Sequence, residues 1–366
     1  MVHDDKYLTF MGKGPRKVAH IEHWSCPDAE TYLTGIDYYE NPRLCRIKMA
    51  ELYPQLGLPI PGSNDPKPRP KEEELERKSM ESGEARRRTR WGDGESADWD
   101  WGKKFKTPEE VFAFSPLQQM DFTKMPVVES RDYSDEEGLY KQYRKLYPAE
   151  WGDKAPEGQL SIAWFYNTMF MWPLLTFGWE LFLETCLDER FERIMDEIAE
   201  LSRRVFRVFS RLPVNVVLCH DDIVTSRGPV CSPEWMHKYI FPRYEEFWSM
   251  LKKAGKKVVM VVDGCIDAYV DDIMACGADG FITEPYTDFK RIAARYKDCI
   301  LAGEGDNRIL MNNNPDEIKD MVLRMADTAK MSGGYFMCIG NHIPWNVPPE
   351  AVKRYLDYSD RYAYRW

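Results

Sequence analysis

From about residue 158 the chain keeps repeating one pattern. A short continuous apolar run is followed by a polar break, then by a segment whose apolar residues recur at helical spacing. QLSIAWFYN, VNVVLCH, KKVVMVV, DGFITE, CILAGE and GGYFMCIG are the apolar runs. Between and after them lie WPLLTFGWELFLETCL, RFERIMDEIAELSRRVFRVFSRL, SPEWMHKYIFPRYEEFWSMLKKAG, DAYVDDIMACG, DFKRIAARYK, NPDEIKDMVLRMADTAKM and PPEAVKRYLDYSDRYA, which read as helices. Ser232-Pro233 suits a helix start, because serine caps well and proline fits the first turn; Gly255 suits the matching end. Strands that are apolar throughout, rather than alternating, are covered on both faces. Strand and helix in regular alternation therefore predict parallel strands in an α/β fold. KVAHIEH near the N-terminus is a further strand candidate. The repetition favours a closed (β/α)8 TIM barrel over an open sheet, in a single domain over 1–366 with an N-terminal extension.

Composition narrows the function classes. The 366 residues carry a formal net charge of −10, which argues against a nucleic-acid partner. No apolar run is long enough to span a bilayer, and MVHDDKYLTF lacks the layout of a signal peptide. The nine cysteines are scattered without a CxxC pair, so reduced thiols and a cytoplasmic location are expected. Residues 64–104 are charged, rich in Pro and Gly and poor in aliphatics. They read as a solvated insertion, with a lid or partner-docking arm as the alternative.

In a parallel barrel the chemistry gathers at the carboxyl ends of the strands. Those ends read Glu22-His23-Trp24, Phe165-Tyr166-Asn167, His220-Asp221-Asp222, Asp263-Gly264-Cys265, Glu284, Glu304-Gly305-Asp306 and Asn341-His342. An acidic residue where a strand leaves the core often only caps the next helix. Its recurrence at one strand end after another points instead to a ring of ionisable groups, which perturb one another's protonation. His220, Asp222, Asp263 and Glu304 are the candidate catalytic groups. Trp164, Phe165, Tyr166, Met169, Asn341 and His342 are the candidate substrate-binding residues, the aromatics among them as apolar walls for a ring. His220, Asp222, Asp263, Cys265, Glu284, Glu304 and His342 offer donors to a metal such as zinc. With neither HExxH nor CxxC, no spacing demands one. A Walker loop and a GxSxG elbow are both missing.

Four ordered stretches carry a family resemblance. DDIVTSRGPVCSPEWMHKYIFPRYEEF, VVMVVDGCIDAYVDDIMACGADGFITEP, LAGEGDNRILMNNNPDEIK and GGYFMCIGNHIPWNVPPEAVKRYL resemble the uroporphyrinogen decarboxylase-like superfamily across about residues 158–360. The resemblance implies a TIM barrel. Decarboxylases of the superfamily hold their polyanionic tetrapyrrole with arginines after the first strand, where this chain has HIEHWSCPDAE. Its coenzyme M methyltransferases hold zinc through two cysteines and a histidine, at places taken here by Val261, Asp263 and Asn341. The branch left resembles the methyltransferase components of corrinoid-dependent demethylases.

That resemblance implies a small methyl donor, with a methoxylated aromatic foremost, and cob(I)alamin delivered by a partner corrinoid protein. No corrinoid-binding DxHxxG motif is present in the chain itself. The protein would hold the ring, aim the methyl group and protonate or polarise the leaving ether oxygen. Two alternatives stand beside this reading: a decarboxylase acting on a small acid, and a catalytically idle barrel used for binding. A homodimer is left open.

Overall fold

The structure, a computed structural model, describes residues 4–69, 104–120 and 131–366. Most of the 64–104 insertion lies outside the described residues. Two compact units interleave along the chain: Met1–Met11 with Trp99–Ile282, and Gly12–Asp98 with Thr283–Trp366.

The first unit is built on parallel strands β1 (Ile162–Phe165), β2 (Val216–His220), β5 (Lys257–Val261) and β6 (Gly280–Ile282), adjacent in that order. A small antiparallel hairpin, β3 (Val224–Thr225) and β4 (Gly228–Pro229), follows β2. Because side chains alternate along a strand, register sorts them onto two faces. Phe165, Cys219, Met260 and Phe281 are aligned and all buried. Phe165 meets Phe206 and Phe209 at ring separations of 5.8 and 6.2 Å, so this face takes the helix Phe191–Arg211. That helix buries Phe191, Ile194, Met195, Ile198, Val205 and Phe209, an i, i+3, i+4 stripe. Each such side chain removed from water contributes about 1.5–3 kcal/mol. Trp164, Leu218 and Val259 are aligned on the opposite face, and His220, Val261 and Ile282 continue it.

Two helices read as continuous in the sequence are broken, each for a local reason. Gly178, at φ 79° and ψ 166°, separates Met171–Phe177 from Trp179–Thr185. Pro242 sits in the first turn of Phe241–Lys253, where its ring prevents continuation from Pro233–Tyr239.

In the second unit, β7 (Ile300–Ala302) pairs in parallel with β8 (Gly334–Tyr335). The KVAHIEH segment makes isolated bridges, His20 to Met337 and, just beyond it, Trp24 to Ile343, instead of a continuous strand. The helices Pro315–Ala329 and Pro349–Tyr362 pack together in this unit. Among the described residues no helix is long and apolar enough to cross a membrane.

Candidate active site

At the carboxyl end of β2 the chain places three consecutive polar residues in two different roles. Asp221 is fully buried and turns toward the helix Met171–Phe177. It accepts hydrogen bonds from the backbone N–H groups of Met169, Phe170 and Met171 at 2.7, 2.7 and 2.6 Å, and from the Tyr244 hydroxyl at 2.7 Å. The unpaired N–H groups of a helix start are what a carboxylate satisfies best. Burial pushes Asp221 up to about 6, so it remains ionised at neutral pH. Asp221 is therefore a structural cap that ties the end of β2 to the chain leaving β1.

His220 and Asp222 project from the other side. His220 is 3% exposed. Its Nε2 lies 3.2 Å from Asp222 Oδ1, and its Nδ1 lies 3.2 Å from the Tyr166 carbonyl oxygen. The Tyr166 carbonyl accepts and so does an ionised Asp222, so a ring protonated on both nitrogens, an imidazolium, satisfies both contacts. Electrostatics agree. Burial alone would drive the ring neutral, but Asp222, with Asp263 and Asp221, outweighs it and raises His220 to about 9. The Tyr166 ring lies against the imidazole at 4.1 Å between centroids. Burial and the nearby Asp222 and Asp263 push the Tyr166 hydroxyl far up, so it stays protonated.

Asp263 reaches the same place from β5. Two residues beyond Val261, it continues the strand face that carries His220. Its backbone N–H donates to Asp222 Oδ1 at 2.9 Å. The Asp263 turn is held by Gly264, at φ 112°, whose hydrogen faces the hairpin. A Cβ there would lie 2.7 Å from the Thr225 carbonyl carbon and oxygen. Cys265 N–H then donates to Thr225 O at 2.9 Å, and its thiol takes no part in the His220 group.

One ligand atom from each of His220, Asp222 and Asp263 lies within 4.8 Å of the others. These residues could hold a divalent ion, though an imidazolium must first lose a proton to bind one. As they stand, they form a buried cation flanked by two half-buried carboxylates.

The other sequence candidates separate by face and by unit. Trp164 is 46% exposed on the face of β1 that leads to Tyr166, so it offers a flat apolar wall. Phe165 is corrected: it points to the opposite face, into the Trp172, Phe206 and Phe209 core, and cannot wall the same space. Met169 is fully buried and contributes its backbone N–H to Asp221. Glu304 belongs to the second unit, where Tyr335, Thr328 and Arg324 donate to its carboxylate at 2.7, 3.3 and 3.3 Å. Burial raises Glu304 despite these donors.

Asn341 and His342 also belong to the second unit. Asn341 adopts φ 62°, and its Oδ1 lies 2.5 Å from His342 Nδ1. His23 faces His342 with ring centroids 5.5 Å apart. Burial, then the His23 charge, lowers His342 to about 3, and burial lowers His23. This pair is neutral at physiological pH, opposite in character to His220. Beside it, Glu22 is held by His20 Nε2 at 2.7 Å, the Tyr355 hydroxyl at 2.7 Å and Ile339 N–H at 3.1 Å. The sequence marked Glu22-His23 only as a strand end. His20 lies two residues from Glu22, a strand spacing that puts both on one face, but Tyr355 lies 333 residues away, beyond any spacing rule.

Parallel strands under helices, with ionisable groups on the outgoing strand ends, define an α/β protein of the (β/α)8 barrel class. The uroporphyrinogen decarboxylase (URO-D) family matches residues 180–362, half of the chain, and the chain belongs to that family. Among solved structures, a methyltransferase from Methanosarcina mazei is similar over 96% of each chain, with a TM-score of 0.54 and 15% identity. That likeness is one of fold. No curated protein matches the sequence.

Proposed function

We propose that the protein transfers a methyl group from a small methylated donor, foremost a methoxylated aromatic, to the cob(I)alamin of a partner corrinoid protein. His220 is the acid of this reaction. The observation that carries the reading is the buried imidazolium, with acceptors on both ring nitrogens and Asp222 and Asp263 beside it. Cleaving an aryl methyl ether leaves an electron pair on a poorly departing oxygen. A cationic acid within reach of that oxygen neutralises it as the C–O bond breaks.

The corrinoid supplies the nucleophile, and everything else falls to this chain. Trp164 provides an exposed indole about 7 Å along the strand from Tyr166, two residues at ~3.3 Å each, so an aromatic ring set against it can bring its ether oxygen toward His220. The proton leaves from Nε2, the nitrogen shared with Asp222, while the Tyr166 carbonyl keeps the Nδ1 proton and with it the ring orientation. Asp222 and Asp263 keep the imidazole charged before reaction, and their charge draws a solvent proton back to Nε2 afterwards. A docked corrinoid would supply the electron pair that takes the methyl carbon, and the former ether oxygen, protonated from His220, would depart as a phenol.

Family membership keeps a second reading in view: an imidazolium can also protonate the carbanion left when a small acid loses carbon dioxide. The two part in one experiment. The protein is incubated anaerobically with cob(I)alamin and a panel of methoxylated aromatics and methylamines, and the corrinoid spectrum is followed. Methylation of cobalt from an aryl methyl ether supports the proposal. Absence of methylation from every donor, with carbon dioxide released from a small acid, replaces it with the decarboxylase.

A further inference from the structure

The first unit carries a second concave site at the opposite end of the same strands. A cavity of about 760 Å³ opens where the chain enters β1, β2 and β5, lined by residues that precede each strand: Lys154 to Glu157, Val214-Asn215 and Lys253 to Lys256. Catalytic groups of parallel barrels lie at the carboxyl ends, so this cavity is separate from the His220 group. Its volume falls within the range of small-molecule sites.

Its electrostatics are unbalanced. Lys256 is 5% exposed, and its ammonium donates to the carbonyl oxygens of Leu212 and Val214 at 2.6 and 2.9 Å. Two carbonyls hold the group in place without neutralising it. Burial, helped by the charge of Lys154, lowers Lys256 to about 8, and no carboxylate opposes that shift. Among the described residues neither Lys154 nor Lys253 makes an ion pair, although Asp153 and Glu157 also line the cavity. Arg211 differs, being bound to Glu137 at 2.6 Å and lying 4.2 Å from the Tyr140 ring centroid. Three lysines, one buried and two exposed, thus line one cavity in a chain whose net charge is −10. A buried cation near a like charge is costly unless an anion joins it.

We infer that this cavity binds a small phosphorylated molecule, its phosphate held by Lys154, Lys253 and Lys256 and its organic part against Pro156 and Tyr7. A phosphate dianion presents several acceptor oxygens, and ammoniums bind it as point charges from several directions. A cavity larger than a bare phosphate leaves room for the body of the molecule.

Titration calorimetry of the full chain with pyrophosphate, with inorganic phosphate, and with a small dicarboxylate as the competing anion tests this. Saturable one-to-one binding of pyrophosphate, weakened at least about tenfold in Lys154→Met and Lys253→Met, is the expected result. Both lysines have free side-chain ends, so these variants should fold even if Lys256→Met does not. The same titration on His220→Gln should be unchanged, which separates this site from the proposed methyl transfer. Three results would overturn the inference: no saturable phosphate or pyrophosphate binding, binding indifferent to both lysine variants, or a dicarboxylate that binds as tightly as pyrophosphate.

Discussion

At the scale of single residues, the account turns on how one imidazole is charged. His220 and Asp222 were legible in the sequence as candidate groups at a polar strand end, but the capping role of Asp221 was not. Adjacent residues face opposite ways, and only the fold shows that Asp221 meets three backbone N–H groups while Asp222 meets the imidazole. His220→Gln should keep the fold and lower methyl transfer by about 10²–10⁴-fold, the usual contribution of a positioned acid. Asp222→Asn removes the main charge that holds His220 protonated. In that variant the alkaline limb of the pH–rate profile, expected near 9 for the wild type, should move toward neutrality. The sign for stability follows from the same shift. Since the folded state binds this proton more tightly than the unfolded one, the stabilisation is complete below about 6.5. It disappears as pH rises through about 9 and amounts to about 3 kcal/mol. Chemical denaturation of wild type and His220→Gln between pH 6 and 10 should show the gap closing as pH rises. A gap that widens instead would mean His220 is neutral in the fold.

At the scale of elements, two devices place the site. The Asp221 cap fixes the chain after β1, and so the Tyr166 carbonyl, against β2. Asp221→Ala would orphan three buried donors and the Tyr244 hydroxyl, and should destabilise the protein by about 3 kcal/mol or more, read as a fall in the denaturation midpoint. The other device is the Gly264 turn. Gly264→Ala forces a methyl group into the Thr225 backbone at a positive φ, and should push the Asp263 turn away from Asp222. Activity should fall more than stability does, and His220 should titrate lower; a variant with wild-type activity would show that Asp263 need not be held there. Strands and helices were legible because the β2, β5 and β6 runs are apolar throughout and the Phe191–Arg211 stripe is regular. The breaks at Gly178 and Ile240 were not, because amphipathic spacing runs across both while single glycine and proline residues decide the backbone. Phe165 was misplaced for a related reason: composition shows an aromatic-rich run, but only strand register says which ring faces the helices.

At the scale of the whole molecule, the family was legible because its motifs sit at strand ends and helix starts, where backbone geometry restricts the choice of residue. Glu22, His23 and His342 were legible as strand ends, but not their pairing, because His342, Ile339 and Tyr355 lie about 320 to 330 residues from the groups they meet. The central claim is that a buried imidazolium drives cleavage of a methyl ether toward cobalt. Single-turnover methylation of free cob(I)alamin from a methoxylated aromatic, followed spectroscopically from pH 6 to 10 for wild type and His220→Gln, tests it most directly. The account predicts a wild-type rate that is level below about 9 and falls above it, and a variant slower by about 10²–10⁴-fold. A variant as fast as wild type, or a wild-type rate that rises through pH 9, would contradict it.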